Sequence, residues 1–188
     1  MIGSIIERVG PYKIQYSQPT FQTLVRSIVF QQLNGKAAST IFNRLAEAAK
    51  ADPLTPESIL KLRPTRMRTV GLSKQKMTYI RELSRMTRGG KVDFGRYPTL
   101  DDAAIIEHLT EVKGVGVWTV HMFLIFALRR TDVLPTGDLG VRIAMKKAYN
   151  LPDLPKAAEM EQIAAAWRPY RSIASWYLWR SLENQGAS

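Results

Sequence analysis

Cysteine is absent from the 188 residues, and only two histidines are present. The lack of cysteine excludes disulfides, thiolate zinc sites and cysteine-bound iron–sulfur clusters, and it fits a reducing interior. With no cysteine and only two histidines, the chain has no ligand set for the zinc site of a hydrolase or deaminase. No P-loop sequence occurs either, so the use of nucleoside triphosphates is not indicated.

Long apolar runs are also missing. The longest, Val115–Leu128, is interrupted by Thr119 and His121 and is too short to span a bilayer. The N-terminal segment MIGSIIERVGPY has no basic stretch followed by an apolar run, so no secretory signal is expected. We therefore expect no membrane association and a soluble intracellular protein.

Acidic side chains are few, 16 against 27 basic ones, which leaves a net charge of +11. This excess favours a polyanionic partner, either nucleic acid or an anionic membrane surface. No helix pattern separates basic residues from large apolar ones, which argues against the membrane. The excess is greatest from Arg63 to Lys91, where a nucleic-acid contact competes with an ordinary solvated helical face. Its basic members are Arg63, Arg66, Arg68, Lys74, Lys76, Arg81, Arg85, Arg88 and Lys91, with Glu82 the one acidic residue.

Apolar residues recur with helical spacing along nearly the whole chain, and no alternating strand pattern is visible, so the sequence predicts an all-α fold. Three helices are expected to begin at Phe21, after Asn34 and at Pro56, and a pair of helices broken at Gly71 is expected within Thr65–Arg88. The next helix follows a capping box at Thr99–Asp102 and ends near Leu109. The remaining helices are expected at Val117–Leu128, Leu139–Tyr149, Lys156–Trp167 and Pro169–Glu183.

The stretch from Leu109 to Val120 is the most informative. A short helix ends, Gly114 and Gly116 bend the chain, and a second helix starts at once. The amides that follow the glycines then lie at the positive end of that helix, which suits one DNA phosphate and reads no base sequence. An ordinary helix–helix turn is the alternative, because a lone G-x-G is common.

Asp138 follows in a Pro-Thr-Gly-Asp turn. Aspartate is a favoured N-cap, and local sequence alone favours that role over catalysis.

Four stretches together resemble the helix-hairpin-helix (HhH-GPD) DNA glycosylase superfamily, and within it the 3-methyladenine (type II) alkylpurine glycosylases. They are Val25–Leu33, the hairpin with Trp118, Leu134–Arg142 and Trp167–Ser172. The resemblance runs from about Phe21 to Trp179. It implies a two-lobed helical fold with the active-site cleft between the lobes, in a compact form without the N-terminal β domain of some members. The central lobe is expected at about 21–130, with the helix-hairpin-helix at 101–128, and the second lobe at 1–20 plus 131–188.

The resemblance also assigns roles. Asp138 matches the essential carboxylate, and Trp118 stands where members with lyase activity carry a nucleophilic lysine, so a monofunctional hydrolase is expected. Leu33 matches a residue that wedges into the minor groove behind a flipped base. The base pocket is expected to include Trp118, Trp179, Met122 and His121, although core packing is the commoner place for such a histidine. Core packing is also the simpler interpretation of Trp176 and Tyr177. The DNA contacts are expected from Gln32, Leu33, Lys113, Gly114, Gly116, Val117 and Thr119. Main-chain carbonyls of Thr110, Val112 and Val115 are expected to hold a structural monovalent cation, Na⁺ or K⁺, and no other cofactor is required.

The resemblance implies double-stranded DNA with damaged bases as the partner, bound by a monomer. A cytoplasmic, nucleoid-associated protein is then expected, or a nuclear one if the source is eukaryotic. Two alternatives stay open: a non-catalytic helix-hairpin-helix DNA-binding protein, and a glycosylase for other damaged bases. Neither the lesion preferred nor the exact lining of the pocket follows from the sequence.

Overall fold

The structure is a computed structural model that describes residues 1–183. Regular structure in this range is helical and includes no strand, as the sequence predicts. None of these helices has the length and apolar character needed to cross a membrane. The α-helices are α1 Ile2–Val9, α2 Phe21–Phe30, α3 Gly35–Ala49, α4 Pro56–Lys61, α5 Pro64–Thr69, α6 Lys74–Arg88, α7 Asp102–Thr110, α8 Val117–Phe126, α9 Leu139–Tyr149, α10 Ala157–Ala164 and α11 Arg171–Glu183; single 3₁₀ turns cover Tyr97–Thr99 and Ala165–Trp167.

Most helix termini follow from the caps that the sequence offers. Asn34 and Asp138 cap α3 and α9 through their side chains, as expected. The predicted capping box before α7 is wrong in one respect: Asp101 caps the helix by accepting from Ala104 N at 2.7 Å, and Thr99 lies in the 3₁₀ turn before it. The helix α8 ends at Phe126 and α11 starts at Arg171, each two residues inside the predicted limits.

The helix α1 was not predicted. Ile2, Ile5, Ile6 and Val9 recur at helical spacing, but the segment is short and its apolar stripe lies in four residues only. Ile5 is 3% exposed in the core, so tertiary packing stabilises this helix.

One compact unit comprises Ser17–Phe123. In it α6 packs against α2, α4 and α5, and α3 packs against the same three helices. Several side chains packed between these helices are completely buried, and burying each one contributes about 1.5–3 kcal/mol to the stability of the fold. They include Leu24, Ile28, Leu45, Ile59, Met67, Ile80 and Leu83. The helix α7 and the hairpin after it belong to this unit.

The other unit comprises Met1–Tyr16 and the described residues from Leu124 onward, so the boundary falls within α8. Here α11 packs against α1 and α9. Its core contains Val141, Met145, Met160 and Leu178, together with Trp176 and Tyr177, which are 5% and 6% exposed. Core packing is thus confirmed for this aromatic pair. The turn that carries Asp138 lies in this unit.

Candidate functional site

The hairpin between α7 and α8 is built as two tight turns. Val112 N donates to Leu109 O at 3.1 Å, and Val115 N donates to Val112 O at 2.9 Å. Val112 and Val115 are buried and anchor the hairpin from below, while Lys113 and Gly116 are exposed. The main chain between the two valines is therefore presented at the surface, next to the N-terminus of α8, where an anion is favoured.

Gly114 is required by its surroundings as well as by its backbone. Its φ is +89°, a region that side chains disfavour, and a Cβ at this position would lie 2.1 Å from the Tyr79 ring. The ring thus packs directly on the hairpin backbone. Tyr79 belongs to α6 and was missed in the sequence, because nothing local pairs it with a glycine so far along the chain.

The first turns of α8 present their residues differently. Val117 and Trp118 are 48% and 41% exposed, which is unusual for apolar side chains of this size. Thr119 is only 3% exposed, so any DNA contact at this residue comes from its main chain. His121 and Met122 are half-buried.

A second surface turn follows α2. Gln32 has a φ of +55°, and Leu33 beyond it is 40% exposed. A groove of about 610 Å³ lies beside it in the same unit. The groove is lined by this turn and by the whole hairpin from Val112 to Gly116, so the expected wedge and the expected phosphate site border one depression.

The basic segment is divided between structural and surface roles. Lys76 and Arg81 donate to main-chain oxygens, and Arg85 and Lys91 form ion pairs with Glu82 and Glu111. Lys76 and Arg81 therefore have structural roles, whereas Arg85 and Lys91 remain exposed in surface ion pairs. Arg63, Arg66, Arg68, Lys74 and Arg88 are exposed as well, so most of the basic segment offers positive charge to a polyanion.

Asp138 does more than cap a helix. Its Oδ1 accepts from Val141 N at 2.8 Å, as a capping carboxylate does, and also from the indole Nε1 of Trp179 at 2.8 Å. The residue is 9% exposed. Two donors on one oxygen fix the rotamer of the carboxylate, and the N-terminus of α9 favours its negative charge.

Trp179 is itself held in place. Its ring stacks on Phe126, with centroids 5.8 Å apart and planes 25° apart. Gly140 leaves room for this arrangement, because a Cβ there would lie 3.1 Å from both Asp138 Oδ1 and Trp179 Cδ1. The sequence brought Asp138 and Trp179 together only through the family resemblance, and the structure places them in direct contact.

The chain leading to Asp138 is fastened to the start of α11. Ser172 N donates to Thr131 O at 2.9 Å, and Val133 N donates to Ser172 Oγ at 2.9 Å. Arg171 forms a bidentate pair with Asp132, at 2.6 Å from Nε and 3.0 Å from Nη2, and Nη2 also donates to the Asp132 carbonyl. The matching stretch Trp167–Ser172 therefore acts on the site by holding the segment before the carboxylate.

Known proteins are similar to this chain over most of its length. A family model described as HhH-GPD superfamily base excision DNA repair protein matches residues 25–169. DNA-3-methyladenine glycosylase 1 of Schizosaccharomyces pombe is 33% identical over 187 residues, covering 94% of this chain and 80% of that protein. The solved structure of S. pombe 3-methyladenine DNA glycosylase in complex with abasic DNA has a TM-score of 0.86 at 32% identity, covering 96% of this chain and 90% of the other. A DNA-3-methyladenine glycosidase from Bacillus halodurans has a TM-score of 0.88 at 34% identity, covering 98% and 85%.

Proposed function

This chain belongs to the HhH-GPD superfamily of base excision DNA repair proteins, and from that premise we propose that it is a monofunctional DNA glycosylase acting on alkylated purines. The reaction is hydrolysis of the N-glycosidic bond in double-stranded DNA. The observation that carries the proposal is the carboxylate of Asp138, which is nearly buried and doubly hydrogen-bonded by Val141 N and Trp179 Nε1. The names of the relatives support alkylated purines as the substrate class.

DNA as the partner is supported independently by a relative and by charge. The S. pombe structure is a complex with abasic DNA. The net charge of +11 attracts a polyanion at long range. At short range the hairpin around Gly114 offers main-chain amides, which grip a phosphate without regard to sequence, as an enzyme that must act at any damaged site requires.

The chemistry explains how one carboxylate is enough. Departure of the base builds positive charge on the sugar, as in glycosidases. An alkylated purine such as 3-methyladenine is already cationic, so it leaves as a neutral base without an acid to protonate it. Asp138 then has two tasks, which are to stabilise the sugar cation electrostatically and to orient a water toward C1′.

Base recognition follows from the aromatic side chains. An alkylated base carries positive charge, and an aromatic face attracts a cation by about 0.5–2 kcal/mol. Trp118, which is 41% exposed, offers such a face in one unit, and Trp179 offers another beside the carboxylate in the second. Met122 and His121, which we also propose for base recognition, are half-buried residues of α8.

We include a monovalent cation at the hairpin in the proposal. Thr110, Val112 and Val115 all border the groove, and their neutral carbonyls suit Na⁺ or K⁺ better than a divalent ion, which favours carboxylates. Within residues 1–183 no cluster of three acidic, histidine or cysteine residues competes for a metal. The Val112 carbonyl accepts from Val115 N and has a second lone pair available. A bound cation would add positive charge beside the phosphate.

A trapping experiment tests the monofunctional assignment. Trp118 occupies the position where lyase-active members carry lysine, so no Schiff base with the sugar is expected. Incubation of the protein with methylated duplex and sodium borohydride should give no covalent adduct, and strands should break only after alkali. An adduct that survives denaturation, or strand breaks before alkali, would contradict the assignment.

Trp179→Phe should lower the single-turnover rate of base release about tenfold, because Asp138 loses the indole donor that helps to orient it. The substituted ring can still stack on Phe126. Trp176→Phe is the matched control: this tryptophan lies on the same helix but in the core, and its change should lower thermal stability and leave the rate nearly unaltered. Equal rates for wild type and Trp179→Phe would show that the indole donor is not needed.

Gly114→Ala should weaken binding to duplex DNA by about tenfold or more. The new methyl group collides with the Tyr79 ring at 2.1 Å, so the hairpin must move and its amides lose the phosphate. Fluorescence anisotropy with a labelled duplex measures the affinity. Gly3→Ala is the control, because a methyl group there meets nothing within 4 Å. Unchanged affinity for Gly114→Ala would place the phosphate site elsewhere.

A further inference from the structure

Lys76 is a basic residue turned toward the protein. Its Nζ donates to Val29 O and to Gln31 O, each at 2.7 Å. Both carbonyls belong to the end of α2 or to the residue after it, where helix carbonyls lack intrahelical donors and a positive charge is favourable. Burial lowers the pKa of this lysine, in keeping with a side chain taken partly out of water. Lys76 therefore fixes the point at which the chain leaves α2.

Gln31 connects the end of α2 to the hairpin. Its main-chain oxygen is held by Lys76, while its side-chain Nε2 donates to Gly114 O at 2.9 Å and lies 3.4 Å from Thr119 Oγ1. The same Gly114 is packed against Tyr79 of α6, one turn after Lys76. The turn after α2 and the hairpin are thus connected to each other and to a common helix.

The residues immediately after Gln31 are those expected to meet the DNA. Gln32 adopts a left-handed backbone with φ +55°, and Leu33 is 40% exposed beside the shared groove. A wedge must enter the duplex at a set distance from the phosphate that is gripped, since the gap left by an extruded nucleotide has a fixed place relative to its own backbone. A loose turn would lose this register.

We propose that Lys76, acting through Gln31, is a positioning residue for base extrusion: it holds the Leu33 turn in register with the hairpin rather than binding DNA phosphate. This inference rests on the proposed function and deepens it by assigning a residue of the basic segment to damage recognition. Lys74, two positions earlier on α6, is exposed and represents the other kind of lysine, one available to a phosphate.

The test compares the affinity for a duplex containing a tetrahydrofuran abasic analogue with the affinity for the undamaged duplex of the same sequence. The ratio of the two dissociation constants reports the discrimination that the wedge supplies and requires no base release. Lys76→Met should lower this ratio about tenfold, as expected for loss of hydrogen bonds from a charged donor. Lys74→Met, the control, removes the same charge and should weaken binding to both duplexes equally, with an unchanged ratio.

A double-mutant cycle with Leu33→Ala separates positioning from a general structural effect. If Lys76 acts through the turn, Leu33→Ala lowers the ratio by itself, and adding Lys76→Met lowers it little further. The proposal would be overturned if the reductions of the ratio by the two substitutions multiplied in the double variant. It would also be overturned if Lys76→Met weakened binding to both duplexes equally. Should Lys76→Met fail to fold, Gln31→Met, which keeps the main-chain acceptor and loses the link to Gly114, takes its place in the cycle with the same expectation.

The proposed function can fail separately. A wild type that discriminates the abasic analogue through Lys76 but releases no base from methylated DNA would retain the positioning role and refute the glycosylase.

Discussion

Asp138→Asn should reduce the single-turnover rate of base release from methylated duplex by about 10²- to 10⁴-fold. Asparagine has nearly the same shape and retains an amide oxygen, but it has no charge to stabilise a sugar cation and is too weak a base to orient water. Rates measured with enzyme in excess over DNA exclude product release from the comparison.

Stability and DNA binding of the same variant provide the control. Asparagine is as good an N-cap as aspartate, and its oxygen can still accept from Val141 N and Trp179 Nε1. The thermal midpoint and the affinity for the abasic analogue should therefore stay close to wild type. A variant that binds and folds normally and still releases base at the wild-type rate would remove Asp138 from the chemistry.

Arg171→Leu should lower the free energy of unfolding by about 3 kcal/mol, near the lower end for a broken buried ion pair, because its partner Asp132 is 28% exposed. The guanidinium is nearly buried and bonds both carboxylate oxygens and the main-chain oxygen of Asp132, and it also reaches Glu161 at 3.0 Å. Denaturant titration measures the loss. Base release should fall as well, since this contact fastens the segment that leads to Asp138.

Arg168→Leu is the matched control for that experiment. Arg168 pairs with the same Asp132 at 3.3 Å, but its side chain is 57% exposed, and exposed pairs contribute about 0–1 kcal/mol. Similar losses in the free energy of unfolding for the two variants would show that the burial of Arg171 does not make its contact with Asp132 more stabilising.

The same network implies an acid limit to stability. Burial raises the pKa of Asp132, but the hydrogen bonds and charge of Arg171 outweigh this and leave the pKa below its ordinary value of 3.8. A carboxyl with a lowered pKa in the folded state contributes stability above its unfolded pKa, and that contribution is lost as the pH falls through the folded value. The difference between wild type and Arg171→Leu should thus shrink below about pH 4.

The sequence predicted most helices correctly because their caps and apolar stripes are local. Asn34 and Asp138 mark the starts of α3 and α9 without reference to the rest of the chain. Contacts between distant residues were not predictable in this way. Lys76 was counted with the surface charges, yet it bonds carbonyls more than forty residues away in sequence, and no local pattern distinguishes such a lysine from an exposed one.

In the candidate site, too, local motifs were predictable from the sequence and contacts between distant residues were not. The two glycines of the hairpin and the Asp138 turn were visible as motifs, whereas the role of Asp138 beyond capping depended on the family resemblance. The indole of Trp179 lies 41 positions later in the chain and donates a hydrogen bond to Asp138, a contact that the local sequence around Asp138 could not predict. Arg171 and Ser172 stood within a matching stretch, but their task of holding residues 131–133 appears only when α11 is folded against that segment.

The central claim is that this protein hydrolyses the bond between an alkylated purine and its sugar. Chromatography of the bases released from methylated duplex DNA tests it most directly, with Asp138→Asn run in parallel. The account predicts free methylated purines, unbroken strands before alkali, and almost no release by the variant. Binding of the methylated duplex by wild type with no free base in solution would contradict it and leave a DNA-binding protein without this activity.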